Sequence, residues 1–158
     1  MKIPTLYLDT SVIGGAFDDE WKDATLELFR LASSGSYRLV TSVVAKREVE
    51  DAPPRVRQQF AELFADPAQV HLLTDEAESL AHEYVATGVV TSKYLDDARH
   101  VAVASVQGIA VIVSWNFRHL VNVQRSAGFN AVNLLQGWSP VRIVNPLELI
   151  YGNQDQDV

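Results

Sequence analysis

The chain predicts a three-layer α/β fold, a mainly parallel sheet with helices on both faces. Three observations predict it. Short apolar runs of β type alternate with segments of helical periodicity. The helical segments are long enough to carry the chain back across a sheet between parallel strands. A length of 158 residues, with 47% hydrophobic and 21% charged, suits one globular domain with a buried core.

Thr5–Leu8 is the first strand, closed by the Asp9-Thr10-Ser11 turn. Asp23–Ser33 is a helix, with Leu26, Phe29 and Arg30 at helical spacing and Gly35 as its stop. Arg38–Thr41 is the second strand. Thr41 or Ser42 then caps a helix through about Asp51, which Pro53-Pro54 halts. Arg55–Phe64 is a further helix and Val70–Leu73 a strand. Thr74 or Asp75 caps the next helix, which sets Ala77, Leu80, Ala81 and Tyr84 on one face and ends at Gly88. Tyr94–Gln107 is helical, with Gly108 beyond it, and Ala110–Val113 is the clearest strand. A helix near Leu120–Ser126 stops before Gly128, and Ala131–Leu134 reads as a short last strand. A single domain over 1–151 and a polar tail over 152–158 follow from this reading.

Composition excludes several functions. Without cysteine there are no disulfides, thiolate ligands or Cys nucleophile. The N-terminal run is too short and too polar for a signal peptide, and no stretch approaches the ~18 apolar residues of a membrane span. A cytoplasmic protein with no membrane association is expected. The net charge of −7 argues against binding nucleic acid by charge alone. Bound metal ions reverse that sign locally, so a phosphate-handling site stays open.

In parallel sheets, ligands bind beyond the carboxyl ends of the strands. Asp9, Ser11, Ser42, Ser114 and Asn116 fall there. Asp9 taken alone serves equally well as a helix cap. In the second helix, Lys46–Glu50 and Arg47–Asp51 are i,i+4 pairs that explain Glu50 and Asp51 as surface charges. Glu48 has no such partner and shares a face with Val44, which makes it the better site candidate. Asp96 and Asp97 open a helix that continues in small apolar residues; one can cap while the other reaches the site. Ser114, Asn116, Arg118 and His119 follow the strong strand. His119 is more often structural than a ligand, and Asn116 and Ser114 also suit a turn. Basic residues beside these acids fit the two signs that phosphate-handling metal enzymes need, acids for the ion and cations for substrate oxygens.

Together these segments resemble the PIN domain, above all the VapC-type toxins of toxin–antitoxin pairs. The likeness rests on YLDTSV at Asp9, SVVAKREVE at Glu48, LDDARHVAVA at Asp97, VIVSWNFRHL at Asn116 and the closing VNPLELI, and spans Tyr7 to Ile150 in order. It implies an α/β/α fold and an acid cluster binding Mg²⁺ or Mn²⁺. It also implies hydrolysis of RNA by a homodimer restrained by an antitoxin peptide. The resemblance places the acid at Asp97 rather than Asp96 and selects Glu48, six residues after Ser42. Asp9, Glu48 and Asp97 are then the expected metal ligands. Ser114 and Asn116 are expected to position water or substrate, with Ser11 supporting Asp9 or touching substrate and Arg118 contacting phosphate. Asn116 stands where the family often has a further Asp, which points to one metal more readily than two. The alternative is a PIN-like module that binds RNA or a protein without cutting. A haloacid-dehalogenase-like phosphatase would need a second acid where Ser11 stands, and the chain does not fit a receiver domain either.

Overall fold

The computed structural model describes residues 2–154. Among them, five strands form one sheet of order β3-β2-β1-β4-β5, with every pairing parallel. The strands are β1 (Thr5–Leu8), β2 (Arg38–Ser42), β3 (Val70–His71), β4 (Val111–Val113) and β5 (Arg142–Val144). Eight α-helices connect or follow them: α1 (Thr10–Gly15), α2 (Lys22–Ser33), α3 (Val43–Glu50), α4 (Pro54–Leu63), α5 (Asp75–Ala86), α6 (Leu95–Val106), α7 (Val123–Gln136) and α8 (Pro146–Gln154). None is long and apolar enough to cross a membrane.

The expected α/β/α layering is what forms. Side chains alternate across a strand, so a sheet covered on both faces needs apolar residues at successive positions. In β1, Leu6 and Leu8 point to one face, where they join Val12 and Ile13 of α1, Leu28 of α2 and Ile150 of α8. Tyr7 points to the other, among Leu80 and Tyr84 of α5, Val101 of α6 and Phe129 of α7. The small residues Ala98, Ala102 and Ala104 are fully buried and seat α6 on this face of the core.

Four segments differ from the sequence expectation. The Asp9-Thr10-Ser11 turn is the start of α1, a helix too short and too glycine-rich to announce itself. The strand expected at Ala131–Leu134 is the last part of α7, which runs unbroken through Gly128. Gly128 is not a stop: a Cβ there would lie 3.0 Å from Val89 Cγ1, so glycine allows the close approach. Asn133 is buried within that stretch, where it accepts from the Tyr84 hydroxyl and donates to Ser105 Oγ at 2.9 Å. The last strand is β5, and α8 begins behind it, capped by Asn145 Oδ1 on the Leu147 N–H at 2.9 Å. The backbone of α8 continues through 154, so only 155–158 of the expected tail lie outside the described residues.

Helices α5 and α6 are joined by a two-pronged ion pair. Arg99 Nε and one terminal nitrogen donate to the two Glu78 oxygens at 2.8 and 2.6 Å. These bonds hold the Glu78 carboxyl down at about 2. Its folded value is therefore below its ordinary 4.5, so its stabilisation is complete above that pH and fades as pH falls toward 2. Glu78→Gln is expected to lower the thermal midpoint at pH 7 and to flatten the pH dependence of stability between about 5 and 2, read by thermal denaturation across that range.

A second prediction concerns α1. A Cβ on Gly15 would lie 2.8 Å from Thr25 Oγ1 and 2.9 Å from Trp115 Nε1, two atoms already hydrogen-bonded to each other at 2.9 Å, while nothing lies within 4 Å of one on Gly14. Gly15→Ala is expected to destabilise by about 1–3 kcal/mol through overpacking. Gly14→Ala is expected to be neutral or to stabilise by up to about 1 kcal/mol in denaturant unfolding.

Candidate functional site

Strand order reverses at β1: β2 and β3 lie to one side, β4 and β5 to the other. The crevice beyond the carboxyl ends of β1 and β4 is thus the place where such sheets bind ligands. Asp9 directly follows β1, and Ser114 directly follows β4.

Asp9 is only 4% exposed. Its Oδ1 accepts the Val12 N–H at 3.3 Å, which caps α1, and the Ser11 hydroxyl at 2.6 Å. Its Oδ2 accepts the Ser114 hydroxyl at 2.5 Å. Capping and a place in the crevice are therefore compatible roles for one side chain. Ser11 Oγ also accepts the Trp115 N–H at 2.9 Å, and Ser114 Oγ accepts the Asn116 N–H at the same distance. Both serines are engaged in fixing Asp9 to the loop after β4. Burial raises the Asp9 carboxyl above its ordinary range, against the pull of His100 and of these hydrogen bonds.

Glu48 comes to the crevice from α3, which Ser42 caps through the Val44 N–H at 3.2 Å. Its Oε1 accepts from Thr10 Oγ1 at 3.0 Å and from His100 Nε2 at 2.7 Å. His100 is 2% exposed, and its Nδ1 lies 2.7 Å from the Tyr7 hydroxyl, itself 2.7 Å from Ser42 Oγ. Burial alone would lower the His100 pKa. The Glu48 hydrogen bond and the charges of Glu48, Asp9 and Asp97 outweigh burial, so it is raised. In the protonated form both ring nitrogens donate, Nε2 to Glu48 and Nδ1 to Tyr7, whose own proton then goes to Ser42.

Asp97 lies in the first turn of α6. Burial raises it to about 6; the charges of Asp9 and Glu48 add to the rise, while His100 and a hydrogen bond from Asn116 oppose it. Asn116 Oδ1 accepts the His119 N–H at 3.0 Å, which leaves its amide to face Asp97.

The crevice therefore brings together Asp9, Glu48, Asp97, Ser11, Ser114 and Asn116. Apart from the His119 N–H on Asn116, the remaining candidates make no hydrogen bond or ion pair with these side chains among the described residues. Asp96 turns outward to Arg99 at 2.8 Å and is half-exposed, which separates the two adjacent acids. Glu50 and Asp51 are exposed, and neither i,i+4 pair forms among the described residues. Arg118 is exposed and makes no ion pair among them. His119 is buried with its ring 3.7 Å from that of Tyr94, and its Nδ1 has no hydrogen-bond partner among the described residues. His100 is the residue that sequence reasoning passed over. One signal was available: it stands three positions after Asp97 on α6, a polar side chain in a run of small apolar ones.

The donors suit a hard divalent cation in kind, being carboxylate, hydroxyl and amide oxygens. The mutual repulsion of Asp9, Glu48 and Asp97 would be relieved by a positive charge between them. As arranged, no three acid or imidazole groups among the described residues gather closely enough to grip one ion, and Glu48 is drawn to His100.

No family model matches the chain, and no curated protein does. Solved structures share its fold, an α/β/α sandwich of PIN type. One is VapBC2 from Rickettsia felis, a crystal structure bound to a DNA fragment from its promoter, at 11% identity and a TM-score of 0.55, covering 89% of this chain and 98% of that one. Another is FitAcB from Neisseria gonorrhoeae, at 15% identity and a TM-score of 0.55, covering 90% and 98%. At these identities the likeness is one of fold.

The raised value of Asp97 carries a stability consequence. A carboxyl whose folded pKa exceeds its unfolded one favours the native state at low pH and loses that contribution as pH rises from about 4 to 6. Asp97→Asn removes the buried charge and is expected to raise the metal-free thermal midpoint at pH 7.5 by a few degrees, with little change at pH 4. A lower midpoint at pH 7.5 would show that the Asp97 charge is not the source of strain.

Proposed function

We propose that this chain is a metal-dependent endoribonuclease that hydrolyses RNA phosphodiester bonds as the toxin of a toxin–antitoxin pair. The observation that carries the reading is the placement of Asp9, Glu48 and Asp97, from three separate elements, about the crevice where strand order reverses. The PIN-type fold shared with VapBC2 and FitAcB supports it, as does the resemblance of the sequence motifs to VapC-type toxins. An antitoxin protein, a homodimer and a cytoplasmic setting belong to the same proposal.

Asp9, Glu48 and Asp97 would hold Mg²⁺ or Mn²⁺, which supplies Lewis-acid activation of water and neutralises charge on the phosphate. The chain's own groups organise the rest. Ser11 and Ser114 fix the Asp9 carboxylate, and Asn116 orients Asp97. The exposed Arg118 would meet a substrate phosphate. Asp97 must be ionised to bind a cation, so affinity should be higher at pH 7.5 than at pH 5.5.

A second reading has an observation of its own. The pairing of Glu48 with the buried His100, together with an amide at Asn116, favours a PIN-like domain of weakened catalysis that binds RNA or a protein. Cleavage of single-stranded RNA with Mn²⁺, Mg²⁺ or EDTA, by wild type and by Asp9→Asn and Asp97→Asn, separates the two. The nuclease reading expects cutting with either ion, none with EDTA, and losses of about 100-fold or more in both variants, which stay folded. Cutting that survives EDTA, or full activity in both variants, would sink it. Chelator-insensitive binding without turnover would establish the second reading.

A further inference from the structure

The loop that follows β4 carries Asn116 into the crevice and, one residue later, sends a large aromatic side chain to the surface. Phe117 is 42% exposed. It is not a stray apolar residue, because it ends an aromatic ladder. Trp21 stacks on Trp115 at 4.3 Å between ring centroids, with an interplanar angle of 16°, and Phe117 closes on both at 5.6 and 6.1 Å. Trp115 is itself tied down through its ring nitrogen to Thr25. The ladder holds the Phe117 ring in a fixed place at little cost in side-chain entropy.

Phe117 walls a surface depression of about 540 Å³, which is within the range of small-molecule sites. Two of the polar groups that line it, both just after β5, have unused hydrogen-bonding capacity. Asn145 accepts the Leu147 N–H through Oδ1, so its amide nitrogen has no partner among the described residues. Glu148 accepts the Asn145 N–H through one oxygen, and its other oxygen has no partner among the described residues. A carboxylate here repels phosphate, whereas an exposed aromatic wall with one amide donor and one carboxylate acceptor suits a flat heteroaromatic ring that bears an amino group. Arg118, exposed and without an ion pair among the described residues, follows Phe117 directly and can take the phosphate such a ring would bring.

We infer that this depression is a nucleobase subsite: Phe117 stacks the unpaired base of a nucleotide beside the phosphate in the crevice, and Glu148 favours bases with an amino donor over uracil. The inference rests on the RNA reading of the crevice and adds its base preference. A stacked base must be unpaired, so the subsite selects single strands over duplex.

The test measures anisotropy of labelled single-stranded oligoadenylate, oligocytidylate, oligouridylate and an abasic ribose-phosphate oligomer with Ca²⁺ in place of Mg²⁺, a hard cation that carboxylates bind but that activates water poorly, so that little cutting competes. Phe117→Ala is expected to weaken oligoadenylate and oligocytidylate by about 5- to 100-fold and to leave the abasic oligomer unchanged. Phe117→Tyr should keep most of the affinity. Phe117→Leu, which preserves apolar volume and so guards against misfolding, should behave like Phe117→Ala. Glu148→Gln should narrow the preference for adenine and cytosine over uracil.

The inference is overturned if Phe117→Leu binds like wild type, if the abasic oligomer binds as tightly as the others, or if no oligomer binds. The two readings fail separately. Wild-type cutting that Phe117→Leu leaves intact, with unchanged binding, removes the subsite and keeps the nuclease. Base-dependent binding that needs Phe117, without cutting under either ion, keeps the subsite and removes the nuclease.

Discussion

Strand β1 is flanked by β2 and β4 and covered on both faces, so the acid that follows it has almost no contact with water. An ionised carboxylate in such a place is costly unless its oxygens are hydrogen-bonded. Asp9 meets that condition with one backbone N–H and two hydroxyls. The consequences spread outward. Ser11 must begin a helix that turns its hydroxyl back, and Ser114 must lie immediately beyond β4. Only a parallel β1–β4 pairing, with Leu8 beside Val113, sets these ends side by side.

Three carboxyls in one crevice add a second constraint. Burial and mutual repulsion push Asp97 up to about 6, and among the described residues the buried His100, when protonated, opposes them. That imidazole is positioned by Tyr7, which projects from β1 to the face opposite Leu6 and Leu8 and is itself anchored by Ser42. The charge balance of the crevice is therefore built into the core. Removing Glu48 would leave the buried His100 ring without the carboxylate that its Nε2 meets.

The layering was legible from periodicity, because strands buried on both faces read as unbroken apolar runs and the long helices carry their own stops. The acids of the crevice were legible because a parallel sheet delivers residues at strand ends to one edge. Other features depended on tertiary contacts that spacing does not encode. Gly128 looked like a terminator, yet it is an approach point for Val89. The apolar run around Val132 looked like a strand, but Asn133 within it answers to Tyr84 and Ser105, far away in sequence. Thr10–Gly15 has little intrinsic helical preference and exists because Asp9 caps it. His100 was hidden among small residues, and its role appears only when Glu48 arrives from another helix.

The clamp between Arg99 and Glu78 has a mechanical meaning for the crevice. Arg99 lies between Asp97 and His100 on α6, so the element that carries both groups is bolted to α5 by paired hydrogen bonds. Any breathing that drew Asp97 away from Asp9 would have to carry α5 along or break the clamp. In amide hydrogen exchange the two helices should open as one cooperative unit, with the crevice's electrostatic tension pulling against a clamp that sits two residues along α6 from Asp97.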